Sequence, residues 1–259
     1  MKLKFYQKEW FGENLEGLAK HYGHKLTDLA GDQIYRAVYQ KLLSNQFTNI
    51  SENWILKKEA LSHYLSNILK SFKIEHPHIL SVGCGVGIVE HFLIRQGFNI
   101  DLQECQDLSI QYLHTKFPEE YKSINFIESL DLKQIDNSCY NVVMAITSTY
   151  CLPNTILASF LDSINRITSS NGYFIWYETV LTKQEIINAL KNLVRGRTTE
   201  GLFWGWKRST SSMIKLAKQH GFNLVKKSFL DSNNVPLDTN GNWPPKQAAW
   251  QMMVFKKND

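Results

Sequence analysis

Three glycines spaced by single residues, Gly83, Gly85 and Gly87, follow directly on the apolar run 79–82, and the next apolar run closes on an acid, Glu104. That set of residues suits the binding of a nucleoside. Glycine is required where the backbone turns tightly or touches a ligand, because a Cβ would block positive φ or close approach. Apolar residues at Ile88, Val89, Phe92 and Leu93 have helical spacing, so a helix begins at the turn and aims its free amide hydrogens at it. An acid at the tip of the neighbouring strand accepts two hydrogen bonds from a ribose. A dinucleotide fingerprint, G-x-G-x-x-G, would need glycine at position 88, where Ile88 stands. The spacing is instead G-x-G-x-G.

Further chemistry-bearing residues close two later apolar segments. Residues 140–146, YNVVMAI, run into Thr147, Ser148, Thr149 and Tyr150, and residues 173–177 run into Glu178. Ligands of open α/β sheets bind along the carboxyl ends of the strands, which places these hydroxyls well, although a capping turn uses the same residues. Tyr150 and Glu178 are the catalytic candidates. Glu178 suits a general base or an anchor for an amine, and equally a helix cap or salt-bridge partner. Residues 191–208 interleave basic side chains with Phe203, Trp204 and Trp206. Such a mixture can stack nucleic-acid bases or cover a small anionic acceptor, and the shortness of the cluster favours a lid. Trp204, Trp206 and Arg208 would then touch the acceptor, with Tyr22 from the stretch that holds Trp10, Phe11, Gly23 and His24. His21 and His24 have no third ligand nearby, so no metal is expected.

These residues need a sheet to hold them. Residues 79–82, 98–104, 124–128, 140–146, 173–177, the run after Gly221 and 250–256 read as seven strands, separated by helical patterns at 88–95, 107–117, 155–167 and in the segment before Gly221. Asn171 and Gly172 read as a turn ahead of the fifth strand. Residues 231–246 read as one long turn. The first 70 residues look helical, with Leu15, Leu18 and Ala19 on one face, Ile34, Tyr35, Val38, Tyr39 and Leu42 on another, and Leu61, Tyr64, Leu65, Ile68 and Leu69 on a third. The expected division is a helical cap over 1–73, which either covers a sheet edge or closes over the ligand, and a nucleoside-binding domain over 74–259.

A chain of 259 residues with 43% hydrophobic content can bury a full core, and a net charge of +5 calls for no polyanionic partner. Its four cysteines form no C-x-x-C pair, which fits reduced thiols in the cytoplasm. No signal-peptide core is seen, and no apolar run approaches the roughly 18 residues of a membrane span.

Strand, glycine turn, helix and acid-tipped strand together resemble the first motifs of the class I S-adenosylmethionine-dependent methyltransferases, over about residues 74–257. The resemblance implies a Rossmann-like α/β sandwich whose seven-stranded sheet is mostly parallel, with the last strand antiparallel. It implies S-adenosylmethionine as cofactor, S-adenosylhomocysteine as product, and cofactor contacts from Gly83, Cys84, Gly85, Gly87, Glu104, Cys105, Leu130, Asp131, Ala145 and Thr147. Asp131 stands where the family presents an acid or amide to the adenine edge, with Glu128 or the Leu130 amide as alternatives. Asn141 departs from the family, which carries an acid near the start of that strand. The implied activity is methyl transfer to a nitrogen or oxygen of a small-molecule acceptor. Alternatives are a reaction that splits the donor into methylthioadenosine, a cofactor-binding partner without activity, and a nucleic-acid methyltransferase.

Overall fold

The computed structural model describes residues 3–5, 9–11, 13–14, 17, 20–21, 32–122, 124–129, 131–152, 154–194, 205–237 and 243–258. The chain opens with three short strands, β1 (Leu3–Phe5), β2 (Glu9–Trp10) and β3 (Glu13–Asn14). Helices α1 (Asp32–Ser44) and α2 (Glu52–Ser71) precede β4 (His78–Val82), α3 (Ile88–Arg95) and β5 (Asn99–Glu104). A 3₁₀ turn leads into α4 (Gln111–Lys116), followed by β6 (Phe126–Glu128) and β7 (Tyr140–Ile146). The second half comprises α5 (Asn154–Ile167), β8 (Thr168–Thr179), α6 (Lys183–Val194), β9 (Gly205–Lys207) and α7 (Thr210–Gln219). It ends with β10 (Phe222–Leu230), β11 (Pro236–Leu237) and β12 (Trp250–Lys257).

Eight strands form the main sheet in the order β11-β10-β12-β8-β7-β4-β5-β6. The strands β4 to β8 pair in parallel, and β12 runs antiparallel between β8 and β10. The mostly parallel sheet and reversed last strand implied by the resemblance are present, and β11 adds an eighth strand to the expected seven. Asp231 explains the extra strand. Its Oδ1 accepts from the amides of Asn233 (2.8 Å) and Val235 (2.9 Å), which folds the chain back so that Pro236 lies beside Leu230.

Two other expectations change. Residues 3–5, 9–10 and 13–14 are strands, not helix: β1 pairs antiparallel with β9, and β2 with β3. Asn171 and Gly172 do not precede a strand but lie inside β8, where Asn171 has φ of 60° and the register with β7 shifts between Tyr140 and Val142. The turn residues produce a bulge there, because the ladder on either side continues.

Alternation along the central strands feeds two apolar layers. Val142, Met144, Ile146, Ile175 and Tyr177 face one layer, which also takes Val38, Tyr39 and Leu42 of α1 and Leu61, Leu65, Ile68 and Leu69 of α2. Val143, Ala145, Phe174 and Trp176 face the other, against Leu157, Leu161 and Ile164 of α5 and Met213 and Ala217 of α7. The N-terminal helices thus share one core with the sheet. At the opposite end of the strands Asn141 Oδ1 accepts from the His78 amide at 2.9 Å, so the amide takes up a hydrogen bond where the resembled family has an acid. Among the described residues no helix is long and apolar enough to cross a membrane.

One side chain locks α2 to the sheet. Buried Asn234, at φ of 66°, donates from Nδ2 to Lys57 O at 2.7 Å and accepts at Oδ1 from the Tyr177 hydroxyl. Asn234→Ala strips both contacts and leaves a Cβ residue without a side-chain amide at positive φ, so it should cost about 3 kcal/mol in urea unfolding. Asn234→Gly, which relieves the backbone term, should cost about 1 kcal/mol less.

Candidate functional site

Three loops meet at the carboxyl ends of β4, β5 and β7. The β4 loop turns at Gly83, whose φ is 65° and whose amide donates to Gln103 O (2.8 Å) and Gln103 Oε1 (3.1 Å). Gln103 Nε2 in turn donates to Ser129 O at 2.5 Å, tying the loop after β6 to the same bend. A Cβ on Gly83 would lie 2.5 Å from Ser148 Cβ, so the β4 and β7 loops are in contact and only glycine fits between them. Gly87, at φ of 70°, starts α3, and a Cβ there would lie 2.5 Å from Leu113 Cδ1.

Glu104 closes over this bend. One carboxylate oxygen accepts from the Gly85 amide at 3.0 Å and the other from the Cys105 amide at 2.7 Å. A carboxylate has about four lone-pair sites, and these two amides engage two of them. What remains matches a vicinal diol. Tyr39, carried in from α1, covers the loop: its hydroxyl lies 3.7 Å from where a Gly85 Cβ would stand. Burial pushes the Tyr39 phenol well above its ordinary pKa, and the negative charge of Glu104 adds to the effect. Cys84, next to Glu90 and Glu104, is likewise pushed up, chiefly by burial.

The β7 loop is shaped from below. Thr147 takes φ of 52°, rare for a β-branched residue, and its amide donates to Tyr177 O at 2.8 Å. Thr149, fully buried, donates to Glu178 Oε1 from both its amide (2.9 Å) and its hydroxyl (2.7 Å), and its Oγ1 accepts from Trp176 Nε1 at 2.7 Å. Arg208 reaches the same loop: Nη1 donates to Thr149 O at 3.2 Å, Nη2 to Leu152 O and Nε to Asn154 Oδ1 at 3.1 Å. Glu178 is 4% exposed, and its Oε2 has no hydrogen-bond partner among the described residues. Burial pushes its carboxyl up to about 7, against the opposing hydrogen bond from Thr149 and the charge of Arg208.

The structure brings together Gly83, Cys84, Gly85, Gly87, Glu104 and Cys105 around one bend, with Thr147 and Tyr150 on the adjoining loop. Ala145 is buried in β7 opposite Val82. Asp131 is exposed and engaged with Lys133, by an ion pair at 2.8 Å and an amide hydrogen bond at 3.2 Å, which hold its carboxyl below the ordinary value. Arg208, expected to face an acceptor, turns three donors on the chain itself. Trp206 has its backbone in β9, while its side chain, like Tyr22, Leu130 and Trp204, lies outside the described residues. Sequence reasoning missed Gln103 as a bridge. It placed Tyr39 in a helical stripe, without a signal that this hydroxyl would reach the glycine turn.

The fold is shared with solved S-adenosylmethionine-dependent methyltransferases. The 1,6-didemethyltoxoflavin-N1-methyltransferase of Burkholderia thailandensis, crystallised with 1,6-didemethyltoxoflavin and S-adenosylhomocysteine, is 13% identical with a TM-score of 0.59, over 90% of this chain and 93% of that one. A TehB-like S-adenosylmethionine-dependent methyltransferase from Corynebacterium glutamicum is 17% identical with a TM-score of 0.52, over 89% of this chain and 100% of the other. The family model for the tellurite resistance protein TehB matches residues 47–198, more than half of the sequence. The chain belongs to the TehB family. A curated relative, the HTH-type transcriptional regulator MalR of Streptococcus pneumoniae, is 26% identical over 126 residues, 47% of this chain. The match spans only 38% of that regulator's length.

Two outcomes follow from this geometry. Gly83→Ala should destabilise the fold by about 1–3 kcal/mol in chemical denaturation, and adding Ser148→Gly, which removes the colliding Cβ, should restore part of the loss. The folded chain also holds the Glu178 proton to higher pH than the unfolded chain, whose carboxyl titrates near 4.5. Its stabilising contribution is therefore complete below that value and is lost as the pH rises to about 7. Between about pH 5 and pH 8 the unfolding free energy of the wild type should fall by up to about 3 kcal/mol more than that of Glu178→Gln.

Proposed function

We propose that this chain is an S-adenosylmethionine-dependent methyltransferase that methylates a nitrogen or oxygen of a small-molecule acceptor, with S-adenosylhomocysteine as product. The observation that carries the reading is the Glu104 carboxylate, fixed on two backbone amides with lone pairs left for a ribose diol. At Gly83 and Gly87 of the bend a Cβ would meet Ser148 and Leu113, so the chain passes there as bare backbone. Family membership and the fold shared with solved methyltransferases support the same conclusion.

When bound, the cofactor supplies a methyl group on a sulfonium, an already activated leaving group. The protein therefore has to bind, align and keep out water more than it has to activate. Glu104 holds the nucleoside against the 83–87 bend, with Cys84, Cys105, Ala145 and Thr147 as its walls. Asp131 or the neighbouring 130 amide borders the adenine edge. Tyr39 and Tyr150 close the cleft from α1 and the β7 loop and exclude water from the reacting atoms. The candidate acceptor contacts are Tyr22, Trp204 and Trp206, whose aromatic side chains suit a small acceptor. Residues 1–73 act as that cap and 74–259 as the cofactor-binding domain, working in the cytoplasm without a metal.

Glu104→Ala removes the two carboxylate contacts to the ribose, each worth about 1.5–3 kcal/mol for a charged acceptor, before water takes up part of the loss. By isothermal titration calorimetry it should weaken S-adenosylhomocysteine binding by at least about tenfold. Unchanged affinity would remove the assignment. Product analysis after incubation with S-adenosylmethionine and candidate acceptors should give the demethylated cofactor, and methylthioadenosine as the main product would favour a different reaction.

A further inference from the structure

Glu178 stands at the carboxyl end of β8 beside the proposed cleft, where a proton-accepting base is one reading of its position. Its contacts say otherwise. The carboxylate is 4% exposed, and Oε1 is occupied twice by Thr149, at 2.9 Å by the amide and 2.7 Å by the hydroxyl. Thr149 is the hub of the loop: Trp176 Nε1 donates to its hydroxyl, and Arg208 Nη1 to its carbonyl. Its neighbour Ser148 presses on the glycine bend, 2.5 Å from where a Gly83 Cβ would be. Two contacts, Glu178 with Thr149 and Ser148 with Gly83, joined by the peptide bond between Ser148 and Thr149, therefore lead from Glu178 to the cofactor turn.

The far side of the network is closed as well. Gln251, paired with Glu178 across β12, donates from Nε2 to Thr179 O (3.0 Å) and Arg208 O (3.2 Å) and accepts at Oε1 from Thr210 (2.7 Å). Among ionisable groups, Arg208 from the segment before α7 faces Glu178 and favours its charged form, while Tyr177 on the same strand lies within its field, as Asp231 does within that of Tyr177.

We infer that Glu178 is a positioning residue: by holding Thr149 it sets the shape of the 147–151 loop, and through Ser148 the fit of the glycine bend around the cofactor, and it takes no proton from the acceptor. The inference rests on the methyltransferase reading of the cleft. In that arrangement the accepting oxygen matters and the ionisable proton does not. Glutamine, whose amide oxygen can accept both Thr149 hydrogen bonds, should replace glutamate, whereas alanine should not.

Calorimetry with S-adenosylhomocysteine on the full chain, combined with thermal unfolding to confirm that each variant is folded, tests this. Glu178→Gln should keep the affinity within about twofold, Glu178→Ala and Thr149→Val should each lose about five- to tenfold, and their combination should lose no more than either alone. Thr149→Ser, which keeps amide and hydroxyl, should behave like the wild type. Alanine binding as tightly as glutamate, or glutamine failing as badly as alanine, would overturn the role. A second readout needs no cofactor: the Trp176 indole N–H resonance, assigned by its loss in Trp176→Phe, should shift with pH around a midpoint near 7 in the wild type and stay flat in Glu178→Gln. A flat wild-type profile contradicts the coupling, whereas a titrating profile in a protein that binds no S-adenosylhomocysteine upholds the Glu178–Thr149 link and sinks the methyltransferase reading instead.

Discussion

The carboxylate of Glu104 on the amides of Gly85 and Cys105 is the contact on which the rest of the cleft depends. Three of the five residues of the 83–87 turn are glycine, which brings no side-chain contact and carries the greatest backbone entropy to be lost on ordering. An external acceptor must fix it. Glu104 supplies a charge-assisted bond from the neighbouring strand, and Gln103, one residue earlier, grips Gly83 and Ser129 through its side chain. Two adjacent residues at the end of β5 thus set the spacing between three loops, and the parallel pairing of β4 with β5, Val82 opposite Gln103, brings them into reach.

A second polar assembly supports the other wall. Thr149, Glu178, Trp176, Arg208 and Gln251 come from the β7 loop, β8, the segment before α7 and β12, and most of their donors and acceptors satisfy one another away from water. Such buried networks are rigid when complete and costly when any member is removed. The strained backbone at Thr147 is tolerable because this assembly and the Tyr177 carbonyl hold it in place. Aromatic cover from α1 and the link from α2 through Asn234 add these two helices to the same unit, so both are extensions of the core.

Much of this was legible in the sequence because it follows local rules. The strand over 140–146 and the helix over 88–95 have the bounds that apolar periodicity gives, and the glycine triplet with its acid lies where strand, turn and helix imply. What the sequence hid is long-range. Tyr39 looks like any residue in a helical stripe until the fold brings it over Gly85. Arg208 looks like a substrate ligand until its guanidinium meets the carbonyls of Thr149 and Leu152. Asn171 and Gly172 carry turn residues, yet the pairing of β8 with β7 and β12 outweighs local preference and leaves only a bulge. Strands of two or three residues, such as β1 and β11, carry too little alternation to stand out from loop.

The reading of the cleft is tested most directly by a crystal structure of the chain grown with S-adenosylhomocysteine. Density for the ribose with both hydroxyls within hydrogen-bond distance of the Glu104 carboxylate, and the carboxylate still on the Gly85 and Cys105 amides, is the expected result. A cleft without the nucleoside at saturating ligand, or a nucleoside bound away from Glu104, would contradict it.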